Sequence, residues 1–253
     1  MRLLAFTFFA GIGFVANAAE APGFDAAARA KMNEKFANDL KACEILLPTA
    51  GKEPDLYSKR GDTLLFLGRF KEAVADYEKM IALDPALDAP HWRLGIAYYF
   101  IGEYGKSAQQ FAKYHAYDPR DRENGIWKFL AQARAEGIEP ARREMLVYEQ
   151  FDREPFPTLY EMLAGKKTVA DLFAEIEKKG LTAEKPVSFF GHYYAGLFAE
   201  LTGDRKGARE YLERAVNGAF SSGAHRDLGY MWQVARLQRE LLEKGAGPPP
   251  ARK

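Results

Sequence analysis

The fold is decided by two stretches, PDLYSKRGDTLLFLGRFKEAVADYEKMIALDP (residues 54–85) and DAPHWRLGIAYYFIGEYGKSAQQFAKYHAYDP (residues 88–119), which align at a spacing of 34 residues. Each contains two glycines seven residues apart, then an aromatic residue, then a closing Asp-Pro pair. The matched positions are Gly61 with Gly95, Leu64 with Tyr98, Gly68 with Gly102, Tyr77 with Phe111, and Asp84-Pro85 with Asp118-Pro119. An internal repeat of this period predicts stacked supersecondary units that share one core.

The residue types within each unit predict a pair of antiparallel helices. The first glycine lets the two helices approach closely, and the second permits the left-handed backbone of the turn between them. The aromatic residue of the second helix fills the space opposite the first glycine. Proline cannot continue a helix, so it ends one unit and opens the next.

This pattern, carried by residues 54–121, resembles the tetratricopeptide-repeat (TPR) family. The chain departs from the family at Met80 and Tyr114, where small residues are usual, whereas Ser107 keeps a small side chain. The resemblance implies an all-α, TPR-like superhelix of stacked antiparallel helix pairs. It also implies a protein that holds other proteins or peptides.

The rest of the chain divides around these two units. A third, weaker unit has Gly196, Gly203, Ala208 and Ala215 at the family's offsets. We expect the last helix, from Leu228 to Leu242, to close the solenoid with a polar outer face. The predicted segments are a signal peptide (1–18), an N-terminal helical segment (19–53), two TPR units (54–121), a degenerate helical middle region (122–186), a C-terminal TPR-like unit with its capping helix (187–244) and a disordered tail (245–253).

The first eighteen residues have the pattern of a cleaved secretory signal. Arg2 is their only charge, residues 3–15 are an apolar run, and Ala16-Asn17-Ala18 has the small-x-small form of a cleavage site. An uncleaved anchor is the alternative. We expect an exported protein, periplasmic or secreted, that starts near Ala19, is soluble after cleavage and has no membrane span in the mature chain.

The arrangement as a whole is similar to the NlpI type of periplasmic TPR lipoprotein. The resemblance rests on the two early units, on Trp127, Leu130 and Ala131, and on one late unit with Tyr193-Tyr194. It implies a scaffold, often dimeric, that brings cell-wall hydrolases and a processing protease together. The single cysteine, Cys43, lies far from the cleavage site, so the lipoprotein cysteine of that group is absent here.

Cys43 shares one predicted helix face with Met32, Phe36 and Leu40. This spacing favours a thiol that fills core space. A reactive or intermolecular thiol is the alternative, because an odd cysteine in a secreted protein has no internal partner.

Composition and motifs give no residues for catalysis or for nucleic acid. The chain has 36 basic and 35 acidic residues, so its charge gives no reason to expect nucleic acid or an anionic membrane as partner. The four histidines do not fall at metal-ligand spacing, and the serines near Gly223 do not form a nucleophile motif. We therefore predict no enzyme, no cofactor and no metal, and we set aside a cell-wall hydrolase because its catalytic residues are missing.

The resemblance also implies a concave groove lined by the first helix of each pair. The residues at the groove-facing positions are aromatic and aliphatic rather than basic here. Such a surface suits an apolar helix or an extended peptide as ligand. The predicted partner-binding residues are Phe66, Trp92, Ile96, Tyr99, Phe100, Tyr193 and Leu197. An equally reasonable alternative is that the chain's own middle helices fill this groove, so that its side chains form core. The leading function is an adaptor for client proteins or peptides, and the runner-up is a homodimerisation module with a self-filled groove.

Overall fold

The computed structural model describes residues 23–245. This part of the chain contains twelve α-helices and no strand, which confirms the all-α prediction. The helices are α1 (Ala26–Ala50), α2 (Pro54–Phe66), α3 (Phe70–Leu83), α4 (Trp92–Phe100), α5 (Tyr104–Tyr117), α6 (Arg122–Glu136), α7 (Ile138–Arg143), α8 (Phe156–Leu163), α9 (Val169–Lys178), α10 (Lys185–Leu201), α11 (Arg205–Ser221) and α12 (His225–Glu243). A short 3-10 turn (Pro85–Leu87) links α3 to α4.

Three helix pairs, α2/α3, α4/α5 and α10/α11, share the same turn. Gly68, Gly102 and Gly203 each have a φ between 77° and 87° at the end of the first helix. The backbone amide of the residue after each glycine donates a hydrogen bond to a carbonyl in the last turn of that helix. For example, Arg69 N donates to Leu64 O at 2.8 Å. This is the hydrogen-bonded helix end that needs a left-handed residue, so the predicted role of the second glycine is confirmed.

The first glycine of each pair lies at the contact between the two helices. A Cβ atom at Gly61 would lie 2.5 Å from the Tyr77 ring, and one at Gly95 would lie 2.8 Å from the Phe111 ring. In the late pair, a Cβ at Gly196 would lie 2.9 Å from Leu212 Cγ. The helices of all three pairs are therefore as close as only a glycine allows, as the repeat predicts.

The middle region is helical only in part. The predicted capping box at the start of α9 is present, because Thr168 Oγ1 accepts from Asp171 N at 3.1 Å and Asp171 Oδ2 accepts from Thr168 N at 2.8 Å. Residues 144–155, however, form an irregular segment between α7 and α8. Its Tyr148 packs against His115 of α5, with ring centroids 4.9 Å apart, so the segment lies across the end of the second repeat.

The last helix is placed differently from the sequence prediction. α12 does not close one end of an open solenoid with a polar outer face; it packs on α11 and also contacts α2 and, through the Arg29–Glu240 ion pair at 3.1 Å, α1, so that nine of its residues are buried. Arg236 Nη2 donates to Phe66 O at 2.6 Å, and the Trp232 and Phe24 rings meet at 5.1 Å. α12 thus joins α11, at one end of the row of helix pairs, to Phe24 and Phe66, at the other end, and closes the row on itself.

No helix between residues 23 and 245 is long and apolar enough to cross a bilayer. The predicted signal peptide and nearly all of the predicted disordered tail lie outside the described residues. On α1, the face predicted from Met32, Phe36, Leu40 and Cys43 is the inward one: Leu40 is buried and the other three are half-buried. Burial raises the pKa of the Cys43 thiol above its ordinary value, which disfavours the reactive thiolate.

Candidate functional site: the pocket at the start of α6

The seven predicted groove residues lie mostly in the interior. Five are buried (Ile96, Tyr99, Phe100, Tyr193 and Leu197), and two are half-buried (Phe66 and Trp92). The prediction that the five line an exposed groove is therefore corrected. Their side chains are aromatic and aliphatic because they form a core between helices of this same chain.

Three later helices cover the predicted groove. Trp127 of α6 makes an edge contact with Tyr99, with ring centroids 5.4 Å apart. Arg134 of α6 donates to the Tyr99 hydroxyl at 3.3 Å and forms an ion pair with Glu200 of α10 at 3.3 Å. At the other end, Tyr230 of α12 contacts both half-buried residues, at ring distances of 5.1 Å from Phe66 and 4.9 Å from Trp92.

An open pocket remains beside this filled groove, with a volume of about 180 Å³. It lies where α4, the start of α6, the irregular segment 144–155 and α12 meet. Its lining combines two indoles, two carboxylates, an amide, a guanidinium and a thioether: Trp92, Trp127, Asp121, Glu123, Asn124, Arg153 and Met231. Of the seven predicted residues, only Trp92 contributes to it.

The carboxylates are placed by the first turn of α6. Asp121 is the N-cap residue, and its Oδ1 accepts from Glu123 N at 3.0 Å. Asp152 Oδ2 accepts from Arg122 N at 3.0 Å, so two of the first amide groups of the helix have acceptors within the chain. Acidic groups at this end also complement the helix dipole.

Arg153 is the cation of the pocket, and the irregular segment brings it there. Its guanidinium contacts Glu123 Oε2 at 2.7 Å, Asp152 Oδ1 at 3.2 Å and Asp121 Oδ1 at 3.6 Å. It also stacks on the Phe156 ring, 4.2 Å from the centroid. Three carboxylates therefore share one guanidinium.

The two pocket carboxylates are buried more than their interactions with nearby cations and donors offset. Burial raises the pKa of the Glu123 carboxyl to about 7, although Arg153 acts in the opposite direction and the Tyr194 hydroxyl donates to Glu123 Oε1 at 2.6 Å. It also raises the pKa of the Asp121 carboxyl, again against the effect of Arg153. Desolvation thus outweighs the one nearby cation at both groups.

Several polar groups of the pocket have no partner among residues 23–245. Asn124 is 5% exposed and its side-chain amide makes no hydrogen bond there. The buried indole nitrogen of Trp127 has no acceptor. Asp121 Oδ2 accepts no hydrogen bond, since Oδ1 takes both of the contacts to this side chain. Asn124 and Asp121 line the open pocket, so a ligand there would meet polar groups that have no other partner in the described chain.

A shallow depression continues the pocket across its rim. It shares Asp121 and Arg153 with the pocket and adds Asp118, Arg120, Phe151 and Asp152. Two large apolar side chains are exposed at this rim: Phe151 (72%), which lines the depression, and Tyr117 (62%), which precedes its Asp118 in the chain. We call the pocket and this depression together the α6 surface.

The histidines form no metal site. Within residues 23–245 no group of three or more His, Cys, Asp or Glu side chains could hold a metal ion. His91 packs against the Tyr77 ring at 4.7 Å, and burial lowers the pKa of its imidazole to about 4. His91 is therefore a packing residue.

The comparisons with known proteins identify the repeat. Residues 61–102 match the family model of the TPR repeat. The chain is also 34% identical over 88 residues to a protein named Hsp70-Hsp90 organizing protein from Triticum aestivum. That alignment covers 35% of this chain and 15% of the relative, so the chain matches only a small part of the relative's length. Together with the twelve helices and their glycine contacts, the match shows an all-α, TPR-like fold.

Proposed function

We propose that this chain is a non-catalytic adaptor that binds client proteins or peptides on the α6 surface. One observation carries the proposal: an open pocket with unpartnered polar groups lies next to the exposed apolar side chains Phe151 and Tyr117. The centre of a protein–protein interface is commonly formed by aromatic side chains next to polar groups that can form hydrogen bonds with the partner. The TPR match supports a role in protein–protein interaction.

The place where such clients are met is also part of the proposal. The pattern of residues 1–18 supports export to the periplasm or beyond, with a mature chain that starts near Ala19 and is soluble. The similarity to the NlpI type supports clients such as cell-envelope hydrolases or a protease. Mass spectrometry of the exported protein tests this part. An intact N-terminus or an acyl adduct contradicts it.

Client capture tests the binding role. The mature protein and its Trp92→Ala variant are immobilised and incubated with the same extract. Bound proteins are then fixed by chemical crosslinking and identified. We expect the wild-type protein to capture a defined set of proteins that the variant loses, because Trp92 lines the pocket. Lys206→Ala, at an exposed position of α11, is the matched control and should capture the same set as wild type.

Thermal unfolding of the same variants separates binding from stability. Trp92 is half-buried and contacts Tyr230, so its truncation should lower the thermal midpoint moderately while the protein stays folded at the temperature of capture. Capture that remains intact in folded Trp92→Ala contradicts a client site at this pocket.

A homodimerisation module is the second candidate. Ile45 and Leu46 are exposed side by side on α1, far along the chain from the α6 surface, and such a pair suits a contact between two copies. Light scattering after size exclusion decides it. A dimer that dissociates in Ile45→Glu supports this candidate, whereas a monomer at all concentrations removes it.

A further inference from the structure

The charge of the pocket restricts what can enter it. Asp121, Glu123 and Asp152 meet one guanidinium, that of Arg153, so the cluster is negative when its carboxyls are ionised. The other nearby cations do not line the pocket: Arg120 pairs with Asp118 at 3.5 Å, and the guanidinium of Arg122, whose Nη1 has no hydrogen-bond partner among the described residues, lies over the Tyr148 ring at 5.2 Å. An added cation would therefore lower the electrostatic energy of the cluster.

An anion is disfavoured at the same place. A helix N-terminus often holds an anion, but the amide groups of Arg122 and Glu123 already donate to Asp152 and Asp121. Arg153 is likewise saturated by three carboxylates. Arg153 is the cation among the residues that line the pocket, so a phosphate or a carboxylate ligand would have to compete with these three carboxylates for it.

The free acceptor suits an ammonium group better than a guanidinium. Glu123 Oε1 and Oε2 are occupied by Tyr194 and Arg153, which leaves Asp121 Oδ2 as a single free carboxylate oxygen. A guanidinium prefers two parallel acceptors, whereas an ammonium is a compact donor that one carboxylate oxygen can hold. The Asn124 amide oxygen is a second acceptor in the same pocket.

The apolar lining suits the methylene chain behind such an ammonium. Trp92, Trp127 and Met231 supply two indole surfaces and a flexible thioether. The amide group of Asn124, which lines the pocket, can donate to a backbone carbonyl of an incoming peptide.

We propose that this pocket receives a lysine side chain of the client, with its ammonium on Asp121 Oδ2 and its methylene chain against Trp92 and Trp127. The inference rests on the proposed function, since it names the chemistry that the client presents. Phe151 and the other rim side chains then contact apolar residues next to that lysine.

Nitrogen–proton NMR of the tryptophan side chains tests this directly, because the chain has three tryptophans. Trp92 and Trp127 line the pocket. Trp232 is an internal control, since it is buried and its indole donates to Val216 O at 3.1 Å. The probe is the peptide acetyl-Ala-Lys-Leu-Ala-amide at constant ionic strength and at about pH 8, above the pKa of Glu123. Titration to about 50 mM covers the weak range around 1 mM, which corresponds to ~4 kcal/mol.

We expect the Trp92 and Trp127 signals to shift with saturation and the Trp232 signal to stay in place. The matched peptides carry acetyl-lysine or glutamate in place of lysine and should not shift them. Asp121→Asn keeps an N-cap residue but removes the charge, and should weaken lysine-peptide binding about tenfold.

Three results overturn the inference: no shift with the lysine peptide, an equal shift with the acetyl-lysine peptide, or a shift with the glutamate peptide. Each is separable from failure of the proposed function. Client capture that depends on Trp92 while the lysine peptide fails keeps the adaptor and removes the lysine. Lysine binding without any captured client removes the adaptor.

Discussion

Single glycines set the spacing of the helix pairs. Gly95 lies so close to Phe111 that a methyl group has no room, whereas at Gly218, in the last turn of α11, a methyl group would meet no atom of another part of the chain within 4 Å. We expect Gly95→Ala to lower the free energy of unfolding by about 1–3 kcal/mol through overpacking. Gly218→Ala is the matched control and should raise it by up to about 1 kcal/mol, because alanine is the better helix former. Urea unfolding followed by circular dichroism measures both, and equal midpoints would contradict the close contact.

The Glu123 carboxyl makes stability depend on pH. Its folded-state pKa of about 7 exceeds the ordinary value of 4.5, so the folded protein binds this proton more tightly than the unfolded chain. The charged groups facing it are Arg153, Asp121 and Asp152, with the Tyr194 hydroxyl on the remaining side. Above pH 7 the buried, ionised Glu123 carboxylate therefore lowers the free energy of unfolding by its full amount. This destabilisation decreases as the pH falls from 7 toward 4.5, where the carboxyl is protonated in the folded protein.

We compare wild type with Glu123→Gln to isolate this group. From about pH 8 to pH 5, the thermal midpoint of wild type should rise by several degrees relative to the variant. The titration of His91, whose pKa burial lowers to about 4, acts in the opposite direction but is common to both proteins and cancels in the difference. Parallel midpoint curves would show that Glu123 is ionised throughout.

At the scale of elements, α12 is held by a buried arginine. Arg236 donates to Phe66 O at 2.6 Å, to Glu240 Oε1 at 2.8 Å and to Gln233 Oε1 at 2.9 Å. Arg236→Met keeps the packing volume but leaves these acceptors without their donor, so we expect a loss of about 3 kcal/mol. That loss corresponds to a fall in the thermal midpoint of roughly 5–10 °C for a chain of this size.

Arg209→Met on the exposed face of α11 is the matched control for this variant. Its midpoint should stay within about 1 °C of wild type, because a solvated arginine without a buried partner contributes little. Equal midpoints for Arg236→Met and Arg209→Met would contradict the closure of the fold by α12.

Features that depend on residues close together in the sequence were predictable from it. Contacts between residues far apart in the sequence were not. The turn at Gly68, the contact at Gly61 and the capping box at Thr168 depend on residues a few positions or one helix apart. The docking of Arg236 on Phe66 joins residues 170 apart in the chain, and no local pattern encodes it. The groove offsets of TPR helices therefore pointed to side chains that α6, α10 and α12 cover.

The pocket was missed for the same reason. Arg153 and Glu123 are 30 residues apart and meet only because residues 144–155 are irregular and cross the end of α5. The available signal was the acidic start of α6, with Asp121 and Glu123 flanking Arg122, but such a start is also what any capped helix shows.

At the scale of the whole molecule, the row of helix pairs is closed on itself, and we therefore propose that clients bind on the α6 surface and not in the groove of the repeats. Photo-crosslinking in the native compartment tests it most directly. A benzophenone amino acid is placed at Phe151 on the rim, at Ile45 on α1 and at Lys206 on α11, three exposed positions on separate elements. The account predicts crosslinked clients from position 151 alone. Clients crosslinked from position 45 or 206 but not from position 151 would contradict it.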